Sequence, residues 1–440
     1  MMNYPSRRMT FSARALVAAL FFLWLAVATV AAPKNVILMI GDGMGPVIVS
    51  ATGAYLYGND YHAFGGQKKL TMETLAGHYY ATTYSTSGKG YDFTWQGGSK
   101  EYPKAAPTDS AASATALATG VKTYNGAIDV DGKQQPLVSI AALARQAGMK
   151  VGVITSVFFF DATPACFAAH NTGRGNAIPI THEMLMVSQP DVLMGAGNPN
   201  SAEPAKAFTN ISKEDWTAVT TGQTPYQLVQ DRADFQALIA KPATGKVLGL
   251  FRNTYALKAC NADGKSADPT LPTLTEMTQG TLNALANPTG FFLMVEGGAI
   301  DKNAHPNNLD ATIGETIAFD DAIAATLQWI AAHGGWNENL LIITADHDTG
   351  YLNSVKPTAA GQLPTAAGQL PTVVWGTEGK WGNHTNRMVD VFCMGAGSDR
   401  FAAYALTVND FEHGLTSVVD NTAIFQVMNA ALPTPTNAVK

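Results

Sequence analysis

A chain of 440 residues is long enough for one large α/β domain or two to three smaller ones. With 46% apolar residues, 14% charged and a formal charge of −6, it is globular rather than disordered, and an acidic balance without a basic patch argues against a nucleic-acid-binding surface. Three scattered cysteines, Cys166, Cys260 and Cys393, exclude a disulfide framework or a thiolate zinc site.

The first 32 residues hold Arg7, Arg8 and Arg14, no acid, and the apolar run ALVAALFFLWLAVATVAA over 15–32. A basic start, an apolar centre and a small-residue exit predict a secretory signal over 1–32, cleaved after Ala28 or an alanine just beyond it. The competing reading is a retained anchor at the lower edge of spanning length. Arg7-Arg8 in SRRMTF is compatible with twin-arginine export. Losing three arginines and no acid takes the formal charge from −6 to −9. The expectation is a periplasmic or secreted protein with no stable membrane anchor once the signal is removed.

KNVILMIGDG (34–43) reads as a strand ending at Asp42; its apolar run is continuous, as in a sheet covered on both faces. PTDSAASATALATG (107–120) reads as a helix. Pro107 suits its boundary, Thr108, Asp109 and Ser110 are all N-capping residues, and Gly120 closes it. The small residues after Ser110 let another group approach the helix N-terminus, where free N–H groups and the dipole favour an anion. Ser110 is thus either a cap or a nucleophile. No Gly-x-Ser-x-Gly elbow surrounds it, so its activator must come from elsewhere in the chain.

PLVSIAALARQAGMK (136–150) has a helical pattern and precedes the strand VGVITS. SVFFFDATPACFAAHNTGR (156–174) then places Asp161 and Thr163 at a strand end, followed by a short helix from near Pro164 to Gly173-Arg174. Asp161 and Thr163 fit a cap pair as well as a site. Arg174 fits a surface residue or the fork that grips two phosphate oxygens. Residues 197–240 have weak periodicity and read as peripheral decoration.

FFLMVEGGAID (291–301) ends at Glu296 and Asp301, ETIAFDDAIAATLQWIAAHGG (315–335) is helical, and NLLIITADHD (339–348) ends at Asp346, His347 and Asp348. Such alternation predicts an α/β sheet, whose ligands bind beyond the carboxyl ends of the strands. One strand-end acid is an ordinary cap; three strands ending in Asp, Glu and His predict a shared site. Asp301 and His305, four residues apart, share a helical face, and His384 lies in the Gly-rich WGNHTN. Carboxylate and imidazole without thiolate suit zinc at a catalytic site that keeps a coordination position open. His62, His78, His170, His182, His333 and His413 have no such partners and read as surface or packing residues. Between His347 and His384 the unit PTAAGQL occurs twice over 357–370, predicting an exposed, mobile loop.

Taken in order, these segments resemble the alkaline phosphatase family from about residue 34 almost to the C-terminus. The resemblance implies a three-layer α/β/α sandwich with a large, mostly parallel central sheet. It implies one catalytic domain over 33–440 with a small crown-like insertion over 350–383, assembled as a homodimer. It also implies two Zn2+ and one Mg2+. Asp301, His305 and His384 match the first zinc's ligands, and Asp346 and His347 the second's. Asp42 would bridge the second zinc and the magnesium, with Thr163 and Glu296 as magnesium ligands. Ser110 in TDSAA matches the nucleophile that becomes phosphorylated, Arg174 the phosphate-binding arginine, and Asp161 and Lys302 a supporting pair found in some bacterial members. The activity implied is hydrolysis of phosphate monoesters to alcohol and inorganic phosphate, with a broad substrate range, an alkaline optimum and a role in phosphate scavenging. ADHDTG lacks the second histidine that many members carry after the Asp-His pair, but that residue is not a metal ligand.

The chemical demand agrees. Enzymes accelerate monoester hydrolysis by up to ~10²¹-fold, whereas one positioned acid or base gives about 10²–10⁴. Activation of Ser110 is therefore expected from the metal pair. Two alternatives stand beside this reading. One is another hydrolase of the same superfamily, a phosphodiesterase or a sulfatase, although TDSAA is not the Cys/Ser-x-Pro-x-Arg setting of a sulfatase. The other is an exported metal-binding protein without catalysis, which has no use for Ser110 or Arg174.

Overall fold

Eight strands supply most of one large sheet: β1 (Asn35–Gly41), β2 (Gly77–Thr82), β3 (Lys150–Phe158), β4 (Val192–Ala196), β5 (Tyr226–Val229), β6 (Lys246–Leu250), β7 (Phe291–Gly297) and β8 (Asn339–Thr344). Val389–Gly395, Leu406–Asp410 and Gly414–Asp420 complete its eleven members. From edge to edge the order is Leu406–Asp410, Gly414–Asp420, β2, Val389–Gly395, β8, β1, β7, β3, β4, β6, β5. The seven strands from β8 to β5 run parallel, and Val389–Gly395 runs against both its neighbours. This computed structural model describes residues 32–94, 104–201, 207–253, 260–265, 268–356, 366–377 and 384–433. The predicted signal, save its last residue, and the first PTAAGQL copy lie outside the described residues. Among the described residues no helix is long and apolar enough to cross a membrane.

The continuous apolar runs explain the centre. Every residue of β1, β7 and β8 is buried, because helices cover both faces of the sheet and leave no side for polar alternation. Each fully buried Leu, Ile, Val, Met or Phe there stabilises the fold by roughly 1.5–3 kcal/mol relative to exposure. One helical layer holds α1 (Pro46–Tyr57), packed on the long helix Leu309–Ala332, which also meets Leu274–Leu285. The other holds α2 (Ser110–Thr119), packed on Thr422–Ala431 and on the single turn Ala162–Ala165. The result is the expected α/β/α sandwich.

α2 starts and stops where its sequence indicates. Asp109 is its N-cap and accepts the Ala112 N–H, and Gly120 (φ 72°) closes it. All ten residues of α2 are buried, which its small side chains permit. At Gly120 a Cβ would lie 2.5 Å from the Phe425 ring, so the glycine serves both the left-handed turn and the close packing.

Two expectations need correction. The helix after Asp161 is one turn, Ala162–Ala165, and does not reach Arg174. Backbone bonds exchanged between Ile128 and Asn171 (2.9 and 2.8 Å) pull the chain out of helical register before it can continue. Residues 197–240 are not wholly decoration either, since Tyr226–Val229 forms β5, the edge strand paired to β6. The described part of the second PTAAGQL copy is exposed as expected, and its Gly368 N–H donates to the Tyr55 carbonyl on α1 (2.7 Å).

The Leu309–Ala332 helix carries a buried acid away from the site. Glu315 accepts the Cys260 N–H at 2.9 Å, and burial pushes its carboxyl from 4.5 up to about 8. The folded state therefore holds a proton that the unfolded chain has released. Its contribution to stability is complete below pH 4.5 and is lost as pH rises to about 8. Glu315→Gln keeps the acceptor and cannot ionise. The variant is expected to match the wild type near pH 4.5 and to exceed it by roughly 2–4 kcal/mol above pH 8, read by urea unfolding across that range.

Candidate metal and catalytic site

Four neighbouring parallel strands deliver the site. At their carboxyl ends β8, β1, β7 and β3 carry, in that order, Asp346 and His347, Asp42, Glu296, and Asp161 with Thr163. Asp301 lies on the short helix Ala299–Ala304 after β7, with His305 at its C-cap. His384 arrives on a two-residue ladder in which His384–Thr385 runs antiparallel to Asp348–Thr349. Asp42, Thr163, Glu296, Asp301, Asp346 and His347 are all at most 2% exposed. The loop after β1 reaches them only because it is glycine-rich. A Cβ on Gly43 (φ 71°) would lie 2.7 Å from Thr349 Oγ1, and one on Gly45 would lie 1.8 Å from Asp348 Oδ1.

Hydrogen bonds fix the histidine tautomers. His384 Nδ1 lies 2.9 Å from the Thr108 carbonyl and donates to it, which leaves the lone pair on Nε2. Burial and the neighbouring His347 hold the His384 pKa down to about 3, so the ring stays neutral. Its Nε2 sits 3.3 Å from His305 Nε2 and 3.6 Å from Asp301 Oδ1, while Asp301 Oδ2 is 3.2 Å from His305 Nε2. Thr349 Oγ1 donates to Asp301 Oδ1 (2.6 Å) and so accepts from His347 Nδ1 (3.2 Å). That turns the His347 Nε2 lone pair toward Asp346 Oδ2 at 3.1 Å and Asp42 Oδ1 at 3.5 Å.

A lone pair facing carboxylate oxygens at these distances is repulsive unless a proton or a metal ion lies between them; burial opposes a charged His347, but the Asp346 carboxylate outweighs it and raises the imidazole pKa. Asp42 Oδ1, Asp346 Oδ2 and Thr163 Oγ1 are moreover buried without a hydrogen-bond partner. Ligand atoms of Asp301, His347 and His384 lie within 4.8 Å of one another, as do those of Asp42, Asp346 and His347. Buried acids crowd the same space. Burial raises Asp42 well above the usual carboxylate range, reinforced by Asp346 and Asp301. Burial also pushes Glu296 up to about 8, although Thr155 Oγ1 donates a short hydrogen bond to it across the β3–β7 register. This donor set of imidazole and carboxylate, short of positive charge, fits bound divalent ions.

Ser110, itself 2% exposed, begins α2 beside these groups. Its Oγ is 3.2 Å from His347 Nε2. Three residues along α2, Ser113 Oγ donates to the Asp346 carbonyl at 2.6 Å and ties the helix to the β8 end. Asp109 accepts Ala112 N–H and Gly126 N–H, both at 3.0 Å, and Arg174 Nη1 at 3.1 Å. Arg174 Nη2 bonds Asp161 Oδ1 at 3.0 Å, and Lys302 Nζ lies 3.2 Å from Asp161 Oδ2. Burial alone would raise Asp161, but Lys302 and Arg174 outweigh it and hold the carboxylate far below its usual range. These are enclosed ion pairs, with Lys302 13% and Asp161 16% exposed, and Arg174 is no isolated surface residue.

The sequence reading missed the supporting hydroxyls of Thr349, Thr155 and Ser113. Thr349 had a visible signal in ADHDTG, two residues past His347; the other two are ordinary strand and helix residues by pattern. The six remaining histidines lie elsewhere. His62, His78, His170 and His182 pair with Glu73, Asp390, Glu183 and Asp215 at 2.7–3.0 Å, His333 bonds the Trp329 carbonyl, and His413 stacks on Tyr80.

Comparison with known proteins gives one answer. The family model described as alkaline phosphatase matches residues 33–378. An alkaline phosphatase of Escherichia fergusonii is 35% identical, the match covering 71% of this chain and 70% of that protein. The streptomycin-6-phosphate phosphatase of Streptomyces griseus is 30% identical over 91% of this chain and 90% of its own length. The crystal structure of a cold-active alkaline phosphatase from a psychrophilic Shewanella superposes with a TM-score of 0.69 at 29% identity, covering 91% of this chain and all of that one. With a family model matched over most of its length and a relative 35% identical across 70% of that relative, the chain belongs to the alkaline phosphatase family.

Proposed function

We propose that this phosphatase hydrolyses phosphate monoesters in two displacements through a phosphoserine at Ser110. The observation that carries the reading is Ser110 Oγ at the N-terminus of α2, 3.2 Å from His347 Nε2, which also faces the Asp346 and Asp42 carboxylates. Asp301, His305 and His384 would hold one zinc, and Asp346 and His347 a second. Asp42 would be shared with a magnesium also held by Thr163 and Glu296. Bound there, divalent ions supply Lewis acidity to the serine hydroxyl, the leaving oxygen and the attacking water.

The chain's own residues do the rest. Ser110 Oγ attacks phosphorus and the alcohol leaves with a proton; water then attacks the phosphoserine, giving inorganic phosphate and restoring the hydroxyl. The N–H groups and dipole at the start of α2 favour the phosphate dianion. The Arg174 fork binds its oxygens, with Asp109 and Asp161 fixing the guanidinium plane. Lys302, anchored on Asp161, adds a positive charge beside the metal cluster. A metal-free Ser–His pair fits less well, because the third group of such a relay belongs at His347 Nδ1, where Thr349 offers a hydroxyl already donated to Asp301.

Every contact named would address the phosphate rather than the alcohol, which supports a broad monoester range. The test is a panel of monoesters, streptomycin 6-phosphate among them, beside a diester analogue. Comparable kcat/KM across the monoesters with little diester turnover supports the reading, and activity confined to one ester contradicts it. Arg174→Ala is expected to raise KM and the phosphate inhibition constant by about 10–100-fold, the loss of one charge-assisted pair, with a smaller change in kcat. Unchanged phosphate inhibition would remove Arg174 from this role.

A further inference from the structure

We propose that Arg387 is a positioning residue for the metal centre, clamping the segment that carries His347 against the segment that carries His384. The proposal rests on the reading that Asp301, His305 and His384 hold a metal ion. The Gly376 and Thr377 N–H groups donate to the Tyr351 and Gly350 carbonyls (2.7 and 3.3 Å), and a two-residue ladder, Asp348–Thr349 against His384–Thr385, pairs the two segments beside the histidines. Immediately beyond it the first segment reverses through Gly350 (φ 84°) and Tyr351 (φ 49°). A non-glycine residue in that left-handed region persists only where its surroundings enforce it.

Arg387 supplies the enforcement. Its side chain is 3% exposed. Nη1 donates to the Leu352 carbonyl at 2.6 Å, and the guanidinium lies 4.4 Å over the Tyr351 ring, so the second residue of the reversal and the one after it are gripped. Nη1 is also 3.9 Å from Asp348 Oδ1, whose other oxygen accepts from Thr385 Oγ1 at 2.6 Å. Nε and Nη2 fork onto both oxygens of Glu412 at 2.9 and 2.7 Å, anchoring the cluster to the turn between Leu406–Asp410 and Gly414–Asp420. The arrangement uses the planar fork, the stacking face and the permanent charge of arginine together, which lysine cannot reproduce. None of these contacts touches Ser110 or a metal-facing atom. Arg387 acts through Asp348, Tyr351 and Leu352 on the spacing of His347 and His384, whose rings stack with centroids 3.6 Å apart.

The experiment compares wild type, Arg387→Lys and Glu412→Gln, each stripped of metal and refilled. Chelator competition gives zinc affinity per equivalent, the visible spectrum of the cobalt-loaded protein reports ligand geometry, and melting of the metal-free forms reports the fold. Both variants are expected to bind one metal equivalent about 10–100-fold more weakly, as outer partners of metal ligands generally do, and to show a changed cobalt spectrum while the metal-free melting point holds. Arg387→Lys should show the larger effect. If Arg387→Lys fails to fold, Glu412→Gln, whose side chain is 17% exposed, decides the matter. Wild-type affinity and spectrum in the folded variants overturn the clamp, whatever happens to the melting point. Asp301→Ala separates the two ideas: if it retains full metal content, the ligand assignment itself has failed.

Discussion

Ser110→Ala is expected to lower kcat by about 10⁴–10⁶-fold, the span observed when a nucleophile and its activator stop acting as a unit. Fold and metal content should be unaffected. Alanine is the best helix former, and α2 keeps its Asp109 cap and its Gly120 stop. The tie between α2 and the Asp346 carbonyl runs through Ser113, which remains. What disappears is the oxygen 3.2 Å from His347 Nε2. Steady-state turnover, metal analysis and circular dichroism together check the claim, and near-normal turnover in a folded, metal-loaded variant contradicts it.

Removal of the metals is the second large effect. Asp42, Glu296, Asp301 and Asp346 are each 2% exposed or less, and ring nitrogens of His347 and His384 face the three aspartates among them. Ions that bind the folded state at about 1,000 times their Kd contribute about 4 kcal/mol each. Stripping two strongly held ions should therefore cost about 8 kcal/mol and lower Tm by on the order of 10 °C. Activity should fall to background with the chelator and return with zinc plus magnesium. A chelated protein that melts and turns over like the untreated one would mean that the carboxylate cluster is balanced by protons, not metals.

Much of this was legible because the signals were local. The runs NVILMIG, FFLMVEG and NLLIIT announce strands covered on both faces, and each ends at the residues gathered above the sheet. Asp109 and Gly120 bound α2 by capping chemistry that needs only neighbouring residues. What stayed hidden depends on contacts between distant segments. Nothing in the sequence says that β7 lies between β1 and β3, or that β5 closes the far edge, because strand order is settled by packing. The helix after Asp161 stops early for a bond to Ile128, more than thirty residues upstream. Thr349 and Arg387 escaped for another reason. A hydroxyl or an arginine has many ordinary uses, and only its partners, Asp301 and His347 for one, Glu412 and Leu352 for the other, give it a role.

The covalent step is the central claim, and one measurement meets it directly. Wild-type enzyme turning over a phosphate monoester is quenched in acid, digested, and its phosphopeptides are mapped by mass spectrometry. The account predicts phosphate on the peptide containing Ser110, assigned to that residue, and no phosphopeptide from Ser110→Ala treated identically. Phosphate on another residue, or none in an enzyme that is plainly turning over, would contradict it.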